Sequence, residues 1–185
     1  MTGPTLEGPR VRLREAAPAD HLTLFRWYND PEVVAPFDRF AVDRFADFQE
    51  ALRTVAGDPT STAPRWVIER IQDQKLLGFV GYYRAHRVLD LWDVWYVLGE
   101  TSARGTGVGT EAVGLLVDYL FREQQLERVG ATCDTENVPS YRLLERLGFL
   151  REGTLRRAFF HHERWHDVFV YGVTRSEWKS PRTRS

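Results

Sequence analysis

Arg104-Gly105-Thr106-Gly107-Val108-Gly109-Thr110-Glu111-Ala112 is the stretch on which the reading of this chain turns. Its three glycines stand at alternate positions, after a hydrophobic run and before a stretch with helical spacing. Glycine lacks a Cβ, so its backbone approaches a ligand closely and turns through angles closed to other residues. Successive N–H groups can then converge on an anion. A helix starting near Val108 adds its own unpaired N–H groups and the positive end of its dipole. The stretch reads as a phosphate cradle suited to a pyrophosphate-bearing cofactor; the plain alternative is a tight turn between strand and helix. The Walker loop is excluded, because no Gly-Lys-Ser/Thr follows Gly109. The dinucleotide fingerprint G-x-G-x-x-G is excluded too, because Gly105, Gly107 and Gly109 give G-x-G-x-G.

Working outward, residues 91–98 form a strand that delivers the chain into the loop. After it, Ala112, Val113, Leu115, Leu116, Tyr119 and Leu120 recur at three- and four-residue spacing, which predicts a helix over 108–124. Residues 129–134 make the next strand, so strand, loop, helix and strand form a crossover unit with parallel strands. Upstream, period-two runs at 66–71 and 76–83 predict a hairpin. Earlier still come a strand at 11–15 and a helix opened by Pro18-Ala19-Asp20 and ended by Asn29-Asp30-Pro31. A loop over 32–39 and a second helix over 43–55 follow. Downstream, a helix over 137–147 stops at Gly148, and strands at 150–160 and 165–174 flank the polar turn His161-His162-Glu163-Arg164. The pattern is α/β (α+β), with a mixed sheet flanked by helices.

At 185 residues, 43% hydrophobic, the chain suits one domain over 1–178. Residues 179–185 carry three cations and read as a disordered tail. A net charge of −1 offers no field for nucleic acid or anionic lipid. No signal-like start and no long apolar run is present, so a soluble cytoplasmic protein is expected. The single cysteine, Cys133, excludes an intrachain disulfide and a Cys-based structural metal site.

Three signals then stand in order: Arg104-x-x-Gly107-x-Gly109, Asn137-x-x-Ser140, and Leu147-Gly148-Phe149 with Glu152-Gly153 and Arg156. Together they resemble the GNAT acyl-CoA N-acyltransferase superfamily, and more closely its ribosomal-protein N-acetyltransferase type. The resemblance extends to Trp27-Tyr28-Asn29-Asp30-Pro31. It implies a twisted sheet in which two strands splay into a V that holds acetyl-CoA. The pyrophosphate would lie on the amides of Gly105, Thr106, Gly107, Val108, Gly109 and Thr110. Pantetheine would pair with the backbone of Tyr96, Val97 and Leu98, and Asn137 and Ser140 would stand beside it. It also implies an amine acceptor: a protein or peptide N-terminus, or a small molecule such as an antibiotic or amino-acid derivative. A homodimer is compatible with it; no nucleic acid, membrane or metal is implied.

Acetyl transfer needs a neutral amine, an oxyanion stabiliser and a proton for the departing thiolate. An N–H near Val97 or Leu98 is the oxyanion candidate. Ser140 is the expected proton donor, with helix capping as its structural alternative; Tyr141 is the neighbour that could replace it. Many members carry a tyrosine where this chain has Leu144, and that departure removes the usual acid. Asn137 either binds pantetheine or caps the helix. Asp93 is the expected general base, ahead of Glu152 and Asp167, with a distant base acting through water as the alternative. The resemblance also implies that Trp27, Tyr28, Phe37, Trp92, Trp95 and Phe159 come from segments lining the acceptor side. His161, His162 and His166 read as a polar hairpin tip, because adjacent His161 and His162 point apart if the turn is extended. Cys133 reads as a small core residue, so direct transfer is expected.

Overall fold

The computed structural model describes residues 3–34, 43–54, 66–86 and 88–181. At its centre lies an eight-stranded sheet in the order β1-β2-β3-β4-β5-β6-β8-β7. One antiparallel half holds β1 (Leu6–Glu7), β2 (Val11–Arg14), β3 (Trp66–Arg70), β4 (Leu76–Arg84) and β5 (Trp92–Leu98). The other holds β6 (Arg128–Asp134), β8 (Arg164–Thr174) and β7 (Leu150–His161). The halves meet where β5 and β6 run parallel, in the register Asp93↔Gly130.

Strand alternation splits the apolar residues between two faces. On one face α4 (Val108–Arg122) packs over Val11, Leu13, Ile68, Leu77, Val80, Val94, Val129 and Ala131. Its Ala112, Val113, Leu116, Val117 and Leu120 are fully buried, so this helix is the middle of the core. Next to α4 lies α5 (Val138–Leu147), with Leu143, Leu144 and Leu147 turned inward. On the opposite face Val67, Phe79 and Val97 meet Leu24 and Tyr28 of α1 (His21–Asn29), Val33 of α2 (Pro31–Val34) and Phe48 of α3 (Phe45–Thr54). None of the described helices is long and apolar enough to cross a membrane.

Two expectations change. Pro31 ends α1 but also opens α2 over Pro31–Val34, where a loop was expected. The first helical position tolerates proline, and the Asp30 carboxylate accepts the Glu32 N–H at 2.9 Å. Residues 35–39 of that expected loop lie outside the described residues. At the other end, the stretch expected to be disordered begins docked: Asp118 of α4 is buried and accepts bonds from Trp178 Nε1 at 2.8 Å and Ser180 Oγ at 2.6 Å. A buried carboxylate needs such donors, and this holds the chain against the helix through Ser180.

Candidate active site

Gly105 and Gly107 adopt left-handed backbone angles, with φ of 76° and 86°. That conformation turns the chain from β5 into α4, and no atom lies within 4 Å of where a Gly105 Cβ would stand. The first bond of α4 runs from the Glu111 N–H to the Gly107 carbonyl at 3.1 Å. The amides of Val108, Gly109 and Thr110 therefore have no acceptor within the helix. Gly109 matters for packing instead, because a Cβ there would lie 3.2 Å from Leu143 and 3.3 Å from Leu98. Its bare Cα lets α4 sit close to both.

Arg10 joins this loop, and nothing in the local sequence signals it. Its Nη1 donates to the Thr106 carbonyl at 2.9 Å, and its Nε donates to Glu111 Oε2 at 2.7 Å. Glu111 Oε1 also accepts the N–H groups of Arg10 and Val11, which ties β2 to α4. A half-exposed guanidinium thus stands at the rim of the cradle. Arg104 turns instead toward the carbonyls of Glu32 and Leu98, at 3.3 and 3.4 Å.

Beyond Asp93↔Gly130 the edges of β5 and β6 are not paired with each other, although β5 stays paired with β4 through Leu98. Backbone groups along Tyr96, Val97 and Leu98 on the gap side therefore lack a strand partner. An extended chain carrying amides can add there as a strand does. Pyrophosphate fits the glycine loop and a pantetheine-like chain fits the gap.

On the α4 face, Tyr96 and Ser140 meet across this gap, Oη to Oγ at 2.9 Å. Burial pushes the Cys133 thiol up to about 11, against a lowering influence of the neighbouring Ser140 hydroxyl. Burial likewise raises the Tyr96 phenol, which stays protonated. Helix capping falls to Asn137, whose Oδ1 accepts the Ser140 N–H at 3.3 Å. The Ser140 hydroxyl is thereby left for Tyr96. Leu144 is buried among the core residues, and Tyr141 packs edge-on to Phe169 at 5.8 Å. The position-144 departure therefore still leaves a phenol next to Ser140, supplied by β5.

On the opposite face lie Asp93, Trp95, Thr132 and Asp134, with Thr132 exposed. Burial raises the Asp93 carboxyl, the nearby Arg128 lowers it and Glu152 raises it further. Arg128 is itself paired with Glu152. Asp167 accepts the Arg157 N–H at 2.8 Å in the bulged part of β7. Trp27 packs on Gly99 and against Phe79, while Tyr28 is buried between Phe48 and Phe79. Trp92 lies on the α4 face against Tyr82, away from Trp95. Phe159 reaches His161, with ring centroids 4.6 Å apart. Phe37 lies outside the described residues.

The histidines differ from expectation. His162 has a φ of 46°, so the turn is not extended, and the Nδ1 atoms of His161 and His162 are 2.7 Å apart. His161 and His166 both converge on Asp134, and all three are buried. Pairing of β7 with β8 brings these residues together, which the spacing of the histidines does not reveal.

The family profile described as acetyltransferase (GNAT) domain matches residues 10–150. The chain belongs to the GNAT family. It is an N-acetyltransferase, and its family uses acetyl-CoA as donor. An uncharacterized N-acetyltransferase of Bacillus subtilis (strain 168), YoaA, is 27% identical over 173 residues, 93% of this chain and 97% of that one. The ribosomal-protein-serine acetyltransferase of Escherichia coli (strain K12) is 27% identical over 100 residues, 54% of this chain and 55% of that one. In fold, the spermidine N-acetyltransferase of Vibrio cholerae, solved with CoA and spermine, superposes with a TM-score of 0.80 at 21% identity. That likeness covers 92% of this chain and 98% of that one.

Proposed function

We infer that this GNAT enzyme acetylates the α-amine of a protein or peptide N-terminus by direct transfer from acetyl-CoA in the cytoplasm. The observation that carries the choice of acceptor is the state of the carboxylates at the cleft. Asp134 is engaged in hydrogen bonds by buried His161 and His166 rather than left open to a ligand, Glu136 is paired with Arg164, Glu152 with Arg128, and Asp93 lies near Arg128. A polyamine needs several unmatched carboxylates, whereas a peptide N-terminus brings one cation. The ribosomal-protein-serine acetyltransferase relative supports the same class of acceptor.

Acetyl-CoA supplies the activated acyl group. The amides of Gly105 to Thr110, with Arg10 at the rim, hold its pyrophosphate. The edge of β5 at Tyr96, Val97 and Leu98 orients pantetheine, and an N–H near Val97 or Leu98 takes the developing oxyanion charge. Ser140, bonded to Tyr96, donates a hydrogen bond to the departing sulfur. The high pKa of the buried Cys133 thiol supports direct transfer, since the thiol rather than the nucleophilic thiolate prevails near neutral pH.

Incubation with acetyl-CoA and a panel of serine- and alanine-headed hexapeptides, spermine, an aminoglycoside and amino acids, followed by thiol release, tests the reading. Turnover of the peptides well above the rest is expected. Preference for spermine or the aminoglycoside would assign a small-molecule acceptor.

A further inference from the structure

The buried Asp134, His161 and His166 have no part in the steps above. Asp134 Oδ2 lies 2.7 Å from both His161 Nε2 and His166 Nδ1, and its Oδ1 accepts the Glu136 N–H at 2.6 Å. The two imidazoles stack with centroids 3.5 Å apart and planes 19° from parallel. His161 Nδ1 is engaged by His162. Of the four ring nitrogens of the stacked pair, His166 Nε2 alone is buried without a hydrogen-bond partner.

The donor geometry separates two readings. A carboxylate accepts only, so His166 Nδ1 carries a proton toward Asp134, and in the neutral ring the lone pair is then on Nε2. Around one metal ion the three donor atoms would stand roughly 3.0–3.4 Å apart, given metal–ligand lengths of about 2.0–2.1 Å. They are 2.7 Å from Oδ2 instead, and stacked rings do not radiate from a common centre. The arrangement is that of an imidazole oriented by a carboxylate.

Its position suits a base. Side chains alternate along β6, so Asp134 leaves the sheet on the face opposite Cys133 and Ser140, with exposed Thr132, Gly130 and Asp93. The hydroxyl pair of Tyr96 and Ser140 thus lies on one face of the sheet and the imidazole pair on the other, where Asp134 is the member of the cluster on the strand that borders the gap. A proton removed from the acceptor and a hydrogen bond given to the sulfur then come from opposite faces.

We propose that His166 is a catalytic base of this acetyltransferase, its Nε2 taking a proton from the acceptor ammonium directly or through one water. The proposal rests on the N-acetyltransferase activity, not on the peptide as acceptor. The N–H bond of the ammonium breaks and its electron pair becomes free; the imidazole becomes an imidazolium held by Asp134. The amine attacks the acetyl carbonyl, the C–S bond breaks, and the nitrogen loses its second proton as the thiolate gains one. His166 returns its proton to solvent, so one proton is released per turnover. Among the described residues, the charged or titratable groups facing His166 are Asp134 from β6, His161 and beyond it His162 from the hairpin, and Glu136, whose Oε2 is 4.0 Å from Nδ1 and is held by Arg164.

Two measurements on the full chain decide it. The first is ¹⁵N NMR of the imidazoles in the acetyl-CoA-saturated protein, which needs no acceptor. A neutral His166 with its proton on Nδ1 is expected; a proton on Nε2 overturns the proposal. The second is the pH profile of kcat/KM for His166→Asn, which keeps a donor toward Asp134, with a serine-headed hexapeptide and spermine as probes. A loss of about 10²-fold at pH 7 is expected, given the usual contribution of acid–base catalysis. It should shrink toward pH 10, where the amine deprotonates unaided, while acetyl-CoA affinity holds. Asp93→Asn is the comparator. An unaltered His166→Asn profile overturns the proposal, as does stoichiometric Zn²⁺ binding that His166→Asn abolishes and that activity requires. If neither probe turns over, the peptide reading fails and the NMR result still decides for His166. His166→Gln serves in the kinetic test should His166→Asn not fold.

Discussion

At Ser140 the hydroxyl meets Tyr96 of β5 across the gap, beside Cys133 of β6, while Asn137 takes over capping. That division predicts how the site fails when each group is removed. Ser140→Ala should lower kcat by about 10- to 10²-fold with acetyl-CoA affinity kept, since a hydrogen bond to the departing sulfur strengthens only as charge develops. Tyr96→Phe should act in the same direction and more weakly, because the serine hydroxyl remains. Each change also removes a part-buried hydrogen bond worth about 1 kcal/mol. Stopped-flow thiol release combined with calorimetry separates these effects. An unchanged kcat for both variants, with only the melting temperature lowered, would make the pair structural.

The loop and helix from Arg104 to Arg122 use glycine for two reasons, and substitutions should part accordingly. Gly107→Val puts a β-branched side chain at a φ of 86° and against the Arg10 guanidinium, 3.2 Å from the new Cβ. Acetyl-CoA affinity should fall about tenfold or more, as left-handed backbone costs such residues about 1–2 kcal/mol and the cradle deforms. Gly109→Val keeps ordinary helical angles but overpacks Leu98 and Leu143, so its main effect should be a stability loss of about 1–3 kcal/mol. Isothermal titration and urea melts on both variants test the distinction; equal affinity losses would remove it.

Across the whole molecule, ion pairs in the turns at the ends of the strands contribute to its response to acid. Asp73 is held down to about 2 by its bonds to Arg70, and Glu100 to about 2 by Lys75. Both carboxyls have folded pKa values below their unfolded ones. Their stabilisation is therefore present above about pH 4 and is lost as pH falls from there toward 2. Both pairs are largely exposed, so the effect should be small and should weaken in salt. Urea midpoints for Asp73→Asn with Glu100→Gln should match the parent near pH 2 and fall slightly below it at pH 5. A parent midpoint flat from pH 5 to pH 2 would show that these pairs contribute nothing.

The amino-acid sequence by itself determined most of the elements and the turn of the glycine loop into α4. Gly105 and Gly107 at left-handed angles, Asn137 and Gly148 as helix boundaries, and the buried face of α4 all follow from interactions within a few residues, which local spacing records. Pro31 was read only as a stop, because its second use depends on the Asp30 side chain capping the next turn. Tertiary structure alone decided the meetings between distant residues. Arg10 reaches Thr106 across 96 positions, Tyr96 reaches Ser140 across 44, and His161 reaches Asp134 across 27. Sheet register sets these meetings, and register is a property of two strands, so one strand's pattern does not carry it.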